Sequence, residues 1–358
     1  MKRILPLFLV LSTFAAHAIG CKSNSNDGST PGEQPGETSD DPSSSGGPPG
    51  TTIEEQNTNP IEGVEGVQPI YEAGQFTDGP VWHAGMGVLF FSTPLGDGAL
   101  YRMLPDGRGL RVREGNREAG TTPIGNTVSA AGELITAEMK RLVKMPAEGG
   151  DPIVIATRWG NIAPPPGGDD AGAPVEDGTF DTLNDVVARK DGTMYVTDPG
   201  YFAGDVVANR IYRIDPTGAV EVVEAFEDVP RPNGIALSPD EKTLYVGFSA
   251  PQEGTMPFIR KYIVNEDGSL GEWTKFIDVA PLDSSPDGLA VDKVGNVYVA
   301  TKAGIEVYKP NGQPWGTLAV PEKPTGMTFG GEDMKTLYIT TEGTKVYQAK
   351  LKLAGISQ

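Results

Sequence analysis

The chain has one cysteine and two histidines among its 358 residues. The cysteine is Cys21, so no intramolecular disulfide can form, and the histidines are His17 and His83. Zinc sites assembled from thiolates and imidazoles are thereby excluded. A serine–histidine–acid triad would have to use His83, because His17 lies in a segment with the form of a removable leader. His83 runs into the turn Ala84-Gly85-Met86-Gly87 and reads as a turn residue rather than a general base. Basic charge is also scarce: 29 Lys and Arg stand against 48 Asp and Glu, a formal net charge of −19. Such a chain does not attract nucleic acid or anionic lipid through its general field; neutral substrates or cations suit it better. No helical period is evident, and no glycine-rich loop leads into a helix that could cradle a phosphate.

What is present begins with an export signal over residues 1–20. Lys2 and Arg3 form its basic start, and Ile4 to Ala16 an apolar stretch too short to span a bilayer. Ala18-Ile19-Gly20-Cys21 resembles a bacterial lipobox, in which cleavage precedes the cysteine and Cys21 carries lipid. Ordinary cleavage after Ala16-His17-Ala18 is the alternative and would leave a free thiol. The expectation is an exported bacterial lipoprotein, membrane-anchored in the periplasm or at the cell surface. Residues 21–66 then read as a lipidated N-terminus and disordered linker, since residues 22 to 60 hold no aromatic residue and one large aliphatic, Ile53. A tether of that length reaches roughly 35 Å, enough to hold a domain clear of a membrane surface.

From residue 67 to residue 353 the chain is a succession of short alternating runs. Gly-containing turns separate them, at Pro105-Asp106-Gly107, Lys190-Asp191-Gly192, Glu266-Asp267-Gly268 and Pro310-Asn311-Gly312. A strand recurs six times, at Leu89-Phe90-Phe91, Leu134-Ile135-Thr136, Met194-Tyr195-Val196, Leu244-Tyr245-Val246, Val297-Tyr298-Val299 and Leu337-Tyr338-Ile339. Units of about 40–60 residues, each offering a pair of strands, predict an all-β chain folded as a six-bladed β-propeller with four-stranded blades. Ring closure is expected from the segment near Ile70 pairing with the blade that carries Val346 and Tyr347. A monomer is expected. The irregular stretch Thr157 to Phe180, rich in Pro and Gly, reads as a lid over the channel mouth or as a solvated loop.

Ahead of these strands stand Asp78, Asn126, Asn184, Asn233 and Asp287, with Thr325 in the sixth unit. If each begins the innermost strand of its blade, propeller symmetry brings their oxygens together on the central channel. Two carboxylates, Asp78 and Asp287, balance a divalent ion, and amide oxygens from Asn184 and Asn233 complete an all-oxygen set. That set favours Ca²⁺, with Mg²⁺, Mn²⁺ or Zn²⁺ as other divalent candidates. Four protein ligands leave coordination positions for water and substrate. The same residues could instead cap strands or bond around a water-filled channel.

The stretches Asp78-Gly79-Pro80-Val81-Trp82, Leu183-Asn184-Asp185-Val186-Val187, Thr197-Asp198-Pro199-Gly200-Tyr201, Arg231 to Asp240 and Pro286-Asp287-Gly288-Leu289 are specific as an ordered set. They resemble, in register over residues 72 to 350, the gluconolactonase, senescence marker protein and luciferin-regenerating enzyme family. The resemblance implies a propeller with one catalytic divalent cation in its channel, hydrolysing sugar lactones or related esters. Position by position, it implies metal ligands at Asp78, Asn184, Asn233 and Asp287, with Asp287 the catalytic residue as base or nucleophile. Asn126 falls where members often place a polar residue facing the substrate. Thr182 stands where animal members carry a substrate-holding Arg, and Asp78 where the family has the longer Glu. Asp198 and Tyr201 are further candidate substrate contacts. Two readings compete: a surface-tethered propeller that binds without turnover, and a phosphotriester hydrolase of the same fold.

Overall fold

A computed structural model describes residues 47–146, 150–160, 177–201, 209–226, 230–249, 256–279 and 285–356. The leader, Cys21 and the first part of the linker lie outside the described residues. The alternating runs form six four-stranded antiparallel sheets, the blades of a β-propeller. Blade 1 comprises Asp78–His83, Val88–Ser92, Ala99–Met103 and Gly109–Glu114. Blade 2 comprises Pro123–Val128, Leu134–Glu138, Arg141–Met145 and Ile153–Ala156. Blade 3 is Val186–Ala188, Met194–Asp198, Asn209–Ile214 and Val220–Phe226, and blade 4 is Arg231–Leu237, Thr243–Ser249, Phe258–Val264 and Leu270–Asp278. Blade 5 is Leu289–Val291, Val297–Thr301, Gly304–Tyr308 and Pro314–Leu318. Blade 6 takes Pro324–Gly330, Thr336–Thr341 and Lys345–Lys350 from the C-terminal part, and Gln68–Glu72 from the other end of the domain.

That last strand closes the ring: Gln68 pairs with Gln348, Pro69 with Tyr347 and Tyr71 with Val346. The turns form as their residues dictate. Asp106, Asp191 and Asp267 each accept the backbone N–H two residues on, and Gly107, Gly192 and Gly268 follow at positive φ.

The recurrent aromatic segments are the second strands, and their burial explains their composition. Leu89, Phe90, Phe91, Tyr195 and Tyr298 are all fully buried, because each second strand is covered on both faces by neighbouring blades. Six apolar clusters result, one at each blade junction. Leu89 and Phe91 of blade 1, for example, meet Tyr338 and Val346 of blade 6, so the closing junction is packed like the others.

Two segments differ from expectation. Residues 47–66, assigned to the linker on composition, carry a one-turn helix, Ile53–Gln56, with Thr52 and Glu55 capping each other's backbone N–H. Ile61, Val64 and Val67 then pack on the blade 5–blade 6 core, and Lys352 N–H donates to the Pro60 carbonyl. Polar composition hid this, since a few spaced aliphatics suffice to dock a segment against an existing core. The irregular stretch after blade 2 forms an antiparallel hairpin at its base, Arg158–Gly160 against Asp177–Thr179, with the Arg210 guanidinium 4.7 Å over the Trp159 ring. Its tip, residues 161–176, to which the lid reading applied, lies outside the described residues. Among the described residues no helix is long and apolar enough to cross a membrane.

Candidate active site in the propeller channel

The first strands of blades 1 to 6 stand side by side around the axis, each touching the next and the sixth touching the first. They enclose a cavity of about 50 Å³ lined by Asp78, Asn126, Asn184, Asp185, Asn233 and Asp287, with Val187, Leu289, Met327 and Phe329 in its apolar part. The five polar residues singled out by spacing therefore do converge, and a sixth, Asp185, joins them.

Backbone crowding at the hub fixes their register. A Cβ on Gly79 would lie 2.1 Å from the Ile124 carbonyl oxygen, and one on Gly125 would lie 2.3 Å from the Asn184 carbonyl oxygen. Gly234 meets the Asp287 carbonyl and Gly288 the Gly326 Cα in the same way. The repeating pair is thus residue-then-glycine: Asp78-Gly79, Ile124-Gly125, Asn233-Gly234, Asp287-Gly288 and Thr325-Gly326. Blade 3 alone replaces the glycine, with Asn184-Asp185. Ile124, not Asn126, is consequently the blade 2 counterpart of Asp78. Bulges between Asp78 and Val81 and between Pro123 and Asn126 put extra residues into these first strands, and spacing along the sequence does not reveal them.

Three carboxylates keep part of their surface open to the channel while lying deep in the protein. Burial pushes the Asp78 carboxyl up to about 6, with Glu342 adding to the shift and the Gly79 N–H, 2.8 Å from Oδ1, opposing it. Burial, reinforced by Asp78, pushes Asp185 up to about 7. Asp287 is raised well above the ordinary carboxylate range by burial and then by Asp78. These are groups whose charge is resisted by desolvation and by each other. The amide of Asn233 donates at 2.9 Å to the Tyr201 hydroxyl, which leaves its carbonyl oxygen to the channel. The Arg231 guanidinium lies 5.6 Å over the Tyr201 ring, so Tyr201 links a cation to the hub. Lys323, ion-paired with Glu342, is the cation that acts against the raised pKa values of Asp78 and Asp287.

Other candidates sit elsewhere or are engaged. Asn126 lines the cavity, but its amide donates to the Gly79 carbonyl at 2.7 Å and Ser92 Oγ at 2.9 Å, and its oxygen accepts from Thr136 Oγ1. It pins blade 1 to blade 2, and both of its N–H donors are committed within the fold. Asp198 and Thr182 are corrections: both are fully buried and neither lines the channel. The Asp198 carboxylate accepts the backbone N–H groups of Asp181 and Thr182 at 2.8 and 2.7 Å and the Tyr212 hydroxyl at 3.2 Å. It shapes the loop that delivers Asn184. Thr325 Oγ1 donates to the Thr77 carbonyl across the closing junction. His83 accepts the Met86 N–H at Nδ1 and holds the Gly132 carbonyl with Nε2, a turn role remote from hydrolysis.

The Lys323–Glu342 ion pair and, at the hub, Asp185 escaped the sequence reading. Asp185 left a signal, an acid where other units have glycine, visible once the units are aligned on that glycine. Among the described residues no three His, Cys, Asp or Glu side chains form a metal-binding cluster. The candidate cation set is two carboxylates with two amide oxygens, a hard donor set suited to Ca²⁺.

With this geometry in view, the family profile described as SMP-30/Gluconolactonase/LRE-like region matches residues 76–343. A gluconolactonase of Zymomonas mobilis is 28% identical over 294 residues, covering 74% of this chain and 76% of that protein. A pentonolactonase of Haloferax volcanii is 30% identical over 165 residues, 45% of this chain and 53% of its own length. Among solved structures, a gluconolactonase from Xanthomonas campestris superposes with a TM-score of 0.63 at 24% identity, over 80% of this chain and 89% of its own. A calcium-binding regucalcin from Agrobacterium tumefaciens superposes at 0.62 with 18% identity, over 80% and 97%. At these identities the structural likeness establishes the fold.

Proposed function

Since the chain belongs to the SMP-30/gluconolactonase/LRE-like family, we propose that it hydrolyses lactones at the channel hub with the help of a divalent cation, Ca²⁺ first. The observation that carries this reading is the meeting of Asp78 and Asp287, from blades 1 and 5, with Asn184 and Asn233 around one cavity. Those four side chains would hold the ion. When bound, it supplies Lewis-acid stabilisation of negative charge developing on the lactone carbonyl oxygen.

The chain's own residues do the rest. Asp287, in its ionised form, would orient the attacking water and take its proton, or attack the carbonyl carbon as nucleophile. Tyr201 holds the Asn233 amide so that its oxygen faces inward. A cavity of about 50 Å³ has room for an ion and water-sized groups, so a sugar lactone would present only its carbonyl edge to the hub. Relatives named gluconolactonase and pentonolactonase favour sugar lactones as the first substrates to try. The leader-like residues 1–20 and the lipobox-like Ala18-Ile19-Gly20-Cys21 support Cys21 as the proposed lipid anchor and a reaction outside the cytoplasm.

The test is hydrolysis of δ-gluconolactone and a panel of simple lactones before and after chelation. Activity should vanish with the chelator and return with Ca²⁺. Asp287→Ala should lower kcat by about a thousandfold or more while its circular dichroism stays that of the parent. Full activity after exhaustive chelation would remove the cation from the reaction, and full activity of Asp287→Ala would remove that residue.

A further inference from the structure

Asp185 occupies the one hub position at which the other five blades carry a close-packed glycine. Each of its two carboxylate oxygens accepts one backbone N–H. Oδ1 accepts the Val186 N–H at 3.0 Å, within blade 3, and Oδ2 accepts the Ile235 N–H at 3.2 Å, in blade 4. Its own N–H donates at 3.1 Å to Thr197 Oγ1, and that hydroxyl donates at 2.7 Å to the Asn233 carbonyl. Two polar tethers therefore run from Asp185 to the strand that carries Asn233, and Asp185 is covalently next to Asn184. No glycine could make the first of them. Between blades 4 and 5, by contrast, the strands meet through backbone, where Gly234 lies against the Asp287 carbonyl.

We propose that Asp185 is a positioning residue that fixes the separation of Asn184 and Asn233, and through it the affinity of the hub for a divalent cation. This rests on the cation reading of the same site. The carboxylate bridges the two blades that supply the amide oxygens, and it does so with both oxygens occupied by backbone donors. It acts on the ion through those amides. Replacing it by alanine would leave the Ile235 N–H unpaired and free blade 4 to shift against blade 3. Replacing it by asparagine keeps the size but turns an NH₂ toward one of the two N–H donors, so one bond survives.

The experiment is calorimetric titration of the chelator-stripped full chain with Ca²⁺, run beside thermal melts and amide exchange at Ile235. Asp185→Ala should weaken Ca²⁺ binding at least tenfold and speed Ile235 exchange, with Asp185→Asn falling between it and the parent. Asp292→Asn serves as the control for a purely structural acid. Asp292 accepts Val294 N–H, Asn296 N–H, the Asn296 amide and the Tyr298 hydroxyl in blade 5, outside the hub. It should lower the melting temperature and leave Ca²⁺ affinity unchanged. Ca²⁺ binding by folded Asp185→Ala within twofold of the parent overturns the inference, and should that variant not fold, the same result with Asp185→Asn does so. A parent chain that takes up no Ca²⁺ overturns the proposed cation site and this inference together.

Discussion

Tyr201 ends the third unit's second-strand segment, yet its hydroxyl serves blade 4 by receiving the Asn233 amide. Tyr201→Phe removes one hydrogen bond at the hub, worth about 1 kcal/mol, so kcat/KM for a lactone should fall about fivefold. An unchanged kcat/KM would mean that Asn233 holds its orientation without help. Asp292 offers a residue-level test of pH dependence away from the channel. Burial pushes its carboxyl up to about 6 in spite of the donors around it. Between pH 4 and 6 the folded chain keeps a proton there that the unfolded chain, titrating near 4, has released. Its contribution to stability is therefore full below pH 4 and is lost as pH rises through 6. Denaturant unfolding across that window should show a slope that Asp292→Asn flattens; equal slopes in both chains would refute it. At this scale the sequence was legible where chemistry repeats by unit: Asp78, Asn184, Asn233 and Asp287 all reach the cavity. It misled at Asn126, which stands two residues beyond Ile124, the blade 2 counterpart of Asp78, and at Asp198, whose neighbours in the fold are backbone donors.

The first strand of each blade is the element on which the site depends, and in every blade but the third a glycine sets how closely the strands approach the axis. Gly79 is the most constrained, with φ at +52° and the Ile124 carbonyl where a Cβ would go. Gly79→Ala should cost about 3 kcal/mol from strain and collision combined. For a domain of this size that is a fall in melting temperature on the order of 10 °C. Gly132 also has positive φ, +77°, but nothing lies within 4 Å of its added Cβ, so Gly132→Ala should cost about 1 kcal/mol, from strain alone. Similar melting temperatures for the two variants would show that the hub yields to an extra carbon. The second strands were the most readable elements, because burial on both faces demands continuous apolar and aromatic residues. Outer strands carry weaker patterns, since they are partly solvated, as Ile153 and Val154 are at the blade 2 edge.

For the whole molecule, closure decides whether six blades act as one body. The pairing of Gln68–Glu72 with Lys345–Lys350 joins residues nearly the full domain apart in sequence, and Tyr71 adds packing against the blade 1–blade 6 core. That junction was foreseeable, because a strand-like segment near Ile70 had no earlier partner and a ring leaves none unpaired. The docking of residues 47–66 was not, because polar composition conceals Ile61 and Val64, placed to meet a core formed by residues far away in the chain. A chain started at Ala73 loses both the helix segment and the closing strand; one started at Gln68 loses the former alone. Four register pairs with about 1 kcal/mol per backbone hydrogen bond imply a closing contribution of at least about 4 kcal/mol. The shorter chain should therefore melt on the order of 10 °C or more below the longer one, and its bare Lys345–Lys350 edge should drive self-association on size-exclusion chromatography. Because Asp78 opens the strand next to that junction, loosening the ring also moves a proposed ligand, so Ca²⁺ should protect the longer chain from heat far more than the shorter. Equal protection of the two by Ca²⁺ would mean that the hub is organised without closure of the ring.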